Sequence, residues 1–172
     1  KLSESELSKF RLNKMGFVFQ NSQMLKNLSI LDNIILPGMV AKRESIEVVR
    51  ARATELMSKM GIEDIKDRDI REVSGGQLRR AAICRAMINS PEILFMDEPT
   101  GALNSEAASQ VREILKKLNQ EGISIMLVTH DAKMASMAKK VIYIKDGKLA
   151  GEIKLSNEKE ALAELDLWLK TI

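Results

Sequence analysis

Two short apolar runs, separated by a helix-length segment, constrain the fold of this chain more than any other feature. The runs are EILFMDEP at residues 92–99 and ISIMLVTH at 123–130, and both are rich in strand-forming residues. Residues 105–120 between them have helical spacing, and one apolar face carries Ala108, Val111, Leu115 and Leu118. A strand, a helix and a second strand in this order predict a parallel sheet covered by helices.

The remaining segments extend this α/β plan. MGFVFQ at 15–20 predicts a further strand, and 140–153 predicts two strands joined by a tight Asp-Gly turn. Helices are predicted at 45–61, 77–89, 131–138 and 157–171. Asn157 and Glu160 form a cap signature for the last helix, and Pro37 with Gly38 predicts a break after the apolar stretch 28–36.

We therefore expect an α/β core with an inserted helical subdomain. Residues 1–20 and 91–172 would form the core, and residues 21–90, which read as almost entirely helical, would form the insertion. The length of 172 residues is enough to bury a substantial core.

Composition excludes several classes of protein. Aromatic residues make up only 3% of the chain, which argues against a nucleic-acid surface built from stacked rings. The single cysteine, Cys84, cannot form an internal disulfide and is expected to be a buried small residue. The start, KLSESELSKFRLNK, is polar and amphipathic and unlike a secretory signal, and no apolar run is long enough to span a bilayer. We expect a soluble chain that reaches a membrane only through a partner.

Polar residues of interest follow three of the predicted strands. They are Gln20, the pair Asp97 and Glu98, and His130, the only histidine. Each alone has an ordinary structural explanation: a loop residue, a solvated turn or a structural imidazole. Because ligands of open parallel sheets bind outside the carboxyl ends of the strands, their coincidence indicates one shared crevice.

A glycine turn precedes the helix predicted at 77–89. In VSGGQLRR, Gly75 and Gly76 allow backbone N–H groups to approach a ligand, and the positive end of the helix dipole points to the same place. This pattern favours an anion site, although Ser74 could equally be an ordinary N-cap. Arg85 in the same helix is expected to be solvated, whereas Arg79 and Arg80 could be solvated or could assist at a phosphate.

These residues together resemble the ATP-binding-cassette ATPases. The run VSGGQLRRAAICRAMINSPEILFMDEPTGALN is similar to the family's signature motif, Walker B strand and D-loop. Gln20 resembles its Q-loop glutamine, and His130 in VTHD resembles its switch histidine. The segments RLNKMGFVFQ and DEPTGALNS are similar to those of the exporter-associated branch of the family. This branch includes ATPases for antimicrobial peptides, macrolides and lipoprotein release.

The resemblance implies a role for each site residue. Asp97 would hold Mg²⁺, Glu98 would act as general base on the attacking water, and Gln20 would reach both the metal and that water. His130 would contact the γ-phosphate of ATP. A second cassette's ATP would be bound by Ser74, Gly75, Gly76 and Gln77. Asn104, which replaces the usual D-loop aspartate without its charge, would lie at the nucleotide beside them.

The resemblance also implies the partners and the place of action. The cassette would pair with a second ATPase subunit, sandwich ATP, and drive a separate membrane permease from the cytoplasmic face of the membrane. The helical region after Gln20 would dock that permease, although ordinary packing explains it equally well. No nucleic-acid partner is expected.

One motif of the family is missing from this sequence. A phosphate-binding loop reads G-x-x-x-x-G-K-[ST], but the only Gly-Lys pair, Gly147-Lys148, is followed by Leu149. In the family this loop lies upstream of a segment like residues 1–20, so we expect a cassette whose N-terminal portion is absent. The 172 residues alone are then expected to be inactive, short of a strand and prone to aggregate.

Three other functions compete with a transport ATPase. A cell-division-type cassette would use the same motifs without transport, and a non-catalytic remnant would explain the missing loop but not the retained Glu98 and His130. A DNA-repair cassette would need long coiled coils, whereas residues 21–90 are too short and carry no sustained heptads.

Overall fold

The computed structural model describes residues 2–156 and 160–171. The chain divides into two compact units, Lys1–Val128 and Thr129–Ile172. The first unit contains α1 (Glu4–Lys14), β1 (Met15–Val18), α2 (Ile30–Ala41), α3 (Ile46–Lys59), 3₁₀ turns at Glu63–Ile65 and Ile70–Glu72, α4 (Gly75–Met87), β2 (Ile93–Asp97), α5 (Ser105–Gln120) and β3 (Ser124–Val128). The second unit contains α6 (Ala132–Ala135), β4 (Lys140–Lys145), β5 (Lys148–Lys154) and α7 (Ala161–Leu169).

The sheet of the first unit is parallel, in the order β1-β2-β3. Its register places Phe17 of β1 opposite Phe95 of β2, and Phe95 opposite Met126 of β3. The predicted α/β class with a parallel sheet is thereby confirmed. Because β1, β2 and β3 pair directly, a further strand could join this sheet only at the outer edge of β1 or of β3.

The two faces of this sheet differ in burial. Val18, Leu94 and Met96 point to one face and are buried, where α4 packs against β1 and α5 packs against β3. On the other face Phe17 stacks on Phe95, and Met126 and Val128 are 57% and 63% exposed. This second face is an exposed apolar surface within the first unit, as the sequence led us to expect.

Helices α2, α3 and α4 pack on one another around buried aliphatic side chains. The predicted break at Pro37 and Gly38 is wrong, because α2 continues through both residues to Ala41. Burial of Ile34 and Ile35 holds the helix in place despite the hydrogen bond that proline cannot donate. A Cβ at Gly38 would lie 2.6 Å from Cγ1 of Val49, so the glycine is needed for the close approach of α3.

The polar start of the chain folds as α1, which Ser3 and Glu6 begin with a reciprocal capping box. None of the residues of α1 is buried. The expected amphipathic character of this segment is therefore wrong: α1 depends on its cap and on contacts with β1 and α2 rather than on a buried face.

In the second unit, β4 and β5 form the predicted antiparallel hairpin. Asp146 and Gly147 both have positive φ, at 51° and 73°, as a tight turn of this kind requires. Helix α7 begins after Glu160, and Leu165 is buried where α6 and α7 meet. The predicted cap residue Asn157 lies outside the described residues. Among the helices that are described, none is long and apolar enough to cross a membrane.

The exposed sheet face generates a prediction about association. Changing Met126 and Val128 together to threonine places a β-branched strand former at both positions of β3. The change also removes exposed apolar area. We expect less light scattering and less binding of a hydrophobic dye by the 172-residue chain.

Val18→Thr is the matched control, because Val18 is buried on the opposite face. It should lower the free energy of unfolding by about 1–3 kcal/mol through an unsatisfied hydroxyl, without reducing scattering. Unchanged scattering in the Met126 and Val128 variant would show that this face does not drive association.

Candidate functional site

Gln20 and Glu98 meet at the carboxyl ends of β1 and β2. Val18 pairs with Met96, so the chain beyond each strand runs toward the same edge of the sheet. A methyl group at Gly101 would lie 3.3 Å from Cβ of Glu98 and 3.8 Å from Nε2 of Gln20. The side-chain amide and the glutamate therefore lie together, and the exposed carboxylate of Asp97 is adjacent in the chain.

Glu98 is held in an uncommon backbone conformation. Its φ is 45°, in the left-handed region that costs a non-glycine residue about 1–2 kcal/mol. The Glu98 N–H donates to the carbonyl of Val128 over 2.9 Å, and its own carbonyl accepts from the N–H of Gly101 over 3.0 Å. Strain of this kind, fixed by the surrounding hydrogen bonds, is typical of functional positions.

The glycine turn forms the N-terminus of α4, which has 13 residues. Ser74 Oγ accepts from the Gln77 N–H over 3.2 Å, and Gln77 Oε1 accepts from the Ser74 N–H over 2.9 Å. This capping box occupies both side chains, and the first helical N–H groups, those of Gly75 and Gly76, have no partner within the helix. No acidic residue lies in this first turn, so the helix end suits an anion.

The start of α5 lies against the same glycine turn. A Cβ at Gly76 would lie 2.9 Å from Cβ of Ala107, and one at Gly75 would lie 3.7 Å from Cδ2 of Leu103. Asn104 caps α5, accepting from the Ala107 N–H at Oδ1 over 2.8 Å. The structure thus brings the Asn104 loop beside Gly75 and Gly76, and the Asn104 side chain has a capping role in this chain.

Two arginines of α4 bind the backbone that follows β1. Arg79 donates to the carbonyl of Phe19 over 2.8 Å and to that of Gln20 over 2.6 Å. Arg85 donates to the carbonyl of Ser22 over 2.6 Å and to that of Gln23 over 2.7 Å. The expectation that Arg85 is solvated is wrong, because this helix is buried on several sides.

Burial lowers the pKa of both arginines. Desolvation lowers the pKa of Arg79, and the negative charge of Asp97 acts in the opposite direction. Desolvation also lowers the pKa of Arg85. The apolar run Ala81-Ala82-Ile83-Cys84 is the sequence signal for these roles, since four consecutive apolar residues cover every side of a helical turn and leave it without a solvent face.

Cys84 lies inside this helix, as predicted. The thiol is fully buried, and desolvation raises its pKa to about 12. It is therefore protonated at neutral pH and unreactive in the folded chain.

The acidic residues of this site fit a magnesium ion shared with a phosphate rather than a protein-built metal cage. Within residues 2–156 and 160–171, no three His, Cys, Asp or Glu side chains gather as metal ligands. Magnesium in nucleotide sites commonly takes one or two carboxylates and completes its shell with waters and phosphates. Asp97, exposed at the end of β2, provides a suitable carboxylate.

His130 belongs to the second unit, two residues beyond the end of β3. Its side chain is exposed. Its place at the same site as Gln20 and Glu98 stays a prediction from the sequence.

Comparison with protein families identifies the family of this chain. Residues 2–101 match the family model described as ABC transporter. The chain belongs to the ABC transporter family. The resemblance inferred from VSGGQLRR and DEPTGALN is thereby confirmed.

Individual ABC relatives include two of the three groups expected from the sequence, macrolide export and lipoprotein release. The macrolide export ATP-binding/permease protein MacB of Campylobacter jejuni is 41% identical over the whole chain, which covers 26% of that protein. The lipoprotein-releasing system ATP-binding protein LolD of Bdellovibrio bacteriovorus is 41% identical over 85% of this chain and 66% of its own length. The chain thus spans about a quarter of the first relative and less than two thirds of the second.

A solved ABC cassette has the same fold. The dimeric ATP-binding cassette MJ0796, in a post-hydrolysis state bound to ADP and Pi, superposes with a TM-score of 0.82. It is 38% identical, and the superposition covers 91% of this chain and 69% of that one. The parallel sheet is therefore that of an ABC cassette.

The two glycines of the turn should respond differently to substitution. Gly76→Ala should lower the free energy of unfolding by about 1–3 kcal/mol, because the new methyl group meets Ala107 and the two helix ends must separate. Gly75→Ala should change stability by less, since Leu103 lies at an ordinary contact distance. Denaturant unfolding of the two variants measures the difference. Equal stability would contradict the close approach of α4 and α5.

Proposed function

We propose that the chain forms part of the ATP-binding and ATP-hydrolysing subunit of an ABC transporter that powers export through a separate permease. The meeting of Gln20 with Glu98 beside Asp97 at one sheet edge carries this proposal. Macrolide-export and lipoprotein-releasing relatives support a cargo of macrolide or lipoprotein type, and an antimicrobial-peptide cargo depends on the sequence resemblance alone.

The proposed function gives each of these side chains a task. Glu98 would accept a proton from the attacking water, and Asp97 would hold Mg²⁺, which supplies positive charge against the phosphates when bound. Gln20 orients the water and the metal, and His130 contacts the γ-phosphate. Phosphoryl transfer requires mainly positioning and charge stabilisation, and a strained, hydrogen-bonded Glu98 suits that requirement.

The glycine turn serves a second subunit. Ser74, Gly75, Gly76 and Gln77 present the N-terminus of α4 to the γ-phosphate of ATP on a partner cassette, with Asn104 beside them. The exposed turn and the dimeric state of the MJ0796 relative support this pairing, either of like or of unlike subunits.

The helical region connects the site to the membrane. Residues 21–90 would act as the helical subdomain, with 1–20 and 91–172 as the ATPase core, and the part of the subdomain around residues 27–39 would dock the permease. Docking on a permease places the subunit at the cytoplasmic face of the membrane. A cell-division-type cassette is the second candidate, because it would use the same catalytic residues.

Substitution of Glu98 tests catalysis in the complete product of the gene that encodes these residues. Glu98→Gln should reduce ATP turnover by a factor of about 100 to 10,000, because the amide cannot accept the proton of the attacking water. ATP binding, measured by calorimetry, should persist. Phosphate release with ATP and Mg²⁺ measures turnover.

Glu106→Gln is the matched control for this substitution. Glu106 is exposed in the first turn of α5, so the same chemical change should leave turnover within about twofold. Full turnover in Glu98→Gln would contradict the proposed general base. A complete product with neither binding nor turnover would favour the non-catalytic remnant.

The 172 residues alone should hydrolyse no ATP. The sequence contains no G-x-x-x-x-G-K-[ST] motif, so it has neither the loop amides nor the lysine that hold the β- and γ-phosphates. A phosphate-release assay with ATP and Mg²⁺ should give the rate of buffer alone. Turnover by this chain that Glu98→Gln abolishes would contradict the proposed dependence on such a loop.

A further inference from the structure

Arg79 joins the two parts of the site that the sequence treats as separate motifs. It lies on α4, one turn after the glycines, and its guanidinium reaches the carbonyls of Phe19 and Gln20. Only 4% of the residue is exposed. The contact therefore links the helix that would face a partner's ATP to the residue that would face Mg²⁺ in this chain.

The planar guanidinium matches this pair of acceptors. Its two terminal nitrogens donate to consecutive carbonyls over 2.8 and 2.6 Å, a fork that an ammonium group cannot reproduce. Nε of Arg79 is buried with no hydrogen-bond partner in the described part of the chain. The hydrogen bonds to the two carbonyls thus offset most of the desolvation cost of burying this charge. If α4 moved away from these carbonyls, the guanidinium would be poorly solvated.

The residues that follow Gln20 adopt strained backbone angles. Ser22 and Gln23 are consecutive non-glycine residues with positive φ, at 53° and 44°. Arg85, two turns further along α4, binds the carbonyls of these same residues. Helix α4 therefore binds this turn at four carbonyls, in addition to the hydrogen bond from the Ser22 N–H to the Phe19 carbonyl within the turn.

The position of Gln20 depends on this anchoring. Its backbone carbonyl is bound by Arg79, while its side-chain amide lies beside Glu98 at the turn that contains Gly101. We infer that Arg79 is a positioning residue, which holds Gln20 against Glu98 and makes its placement follow the position of α4. This inference rests on the proposed ATPase function and adds a physical connection between the glycine turn and Gln20.

A double-mutant cycle on the complete gene product tests the connection. Gln20→Ala and Arg79→Lys should each lower kcat, by a factor of about 10 to 100, because a misplaced catalytic group loses its orientation. If Arg79 acts through Gln20, the double variant should be no slower than Gln20→Ala. Arg50→Lys is the control: this exposed arginine of α3 makes one long ion pair, and its variant should keep wild-type kcat.

Losses that multiply in the double variant would overturn the inference, because Arg79 would then affect turnover independently of Gln20. Thermal unfolding identifies a variant that loses activity by losing its fold. If Arg79→Lys is unstable, Arg79→Gln removes the buried charge and keeps an amide donor, and the same cycle applies.

Hydrogen exchange tests the anchoring without any activity. The amide of Ser22, which donates to the carbonyl of Phe19, should exchange at least tenfold faster in Arg79→Lys than in the wild type or in Arg50→Lys. Unchanged exchange would overturn the inference. If the wild type hydrolyses no ATP, the proposed function fails, whereas the exchange result still decides whether Arg79 holds this segment.

Discussion

The parallel pairing of β1 with β2 is the constraint on which the rest of the site depends. A register in which Val18 faces Met96 brings the chain after both strands to the same edge, so that Gln20 and Glu98 meet although 78 positions separate them in the sequence. A shift of one residue would exchange the sheet faces to which Phe17 and Val18 point, and it would move Gln20 away from Glu98. The buried and exposed sides of the sheet therefore fix the register, and the register fixes the site.

Helix α4 connects β1, the turn after β1 and the start of α5. The middle of α4 is buried and consists largely of small residues, which allows close packing against β1 and α5. Its arginines bind the turn after β1, and Gly76 admits the start of α5. If the inferred role of Arg79 holds, a phosphate at the N-terminus of α4 would act on its neighbours through these contacts. The glycine turn and the Gln20 turn are in this sense one mechanical element.

Some of this arrangement could be predicted from sequence, and some could not. The strand–helix–strand order around Ala108 and Leu115 was sufficient to predict the α/β class, because period and length distinguish the elements. The course of α2 through Pro37 could not be predicted, since burial of Ile34 and Ile35 outweighs a local preference. The role of Arg85 was missed for a related reason: a charge suggests solvent, whereas the neighbours of Arg85 in space are carbonyl groups. His130, in the second unit, still depends on the sequence alone.

Conformational strain is present in both turns that meet at the site. Ser22 and Gln23 after β1, and Glu98 after β2, all adopt left-handed backbone angles that their residue types disfavour. Neither turn contains a glycine at these positions, so the geometry must be held by surrounding groups, the arginines of α4 for one and the carbonyl of Val128 for the other. A site maintained in this way is sensitive to displacement of its supports. Under the proposed function, contact with a second subunit at the N-terminus of α4 would act on these same supports.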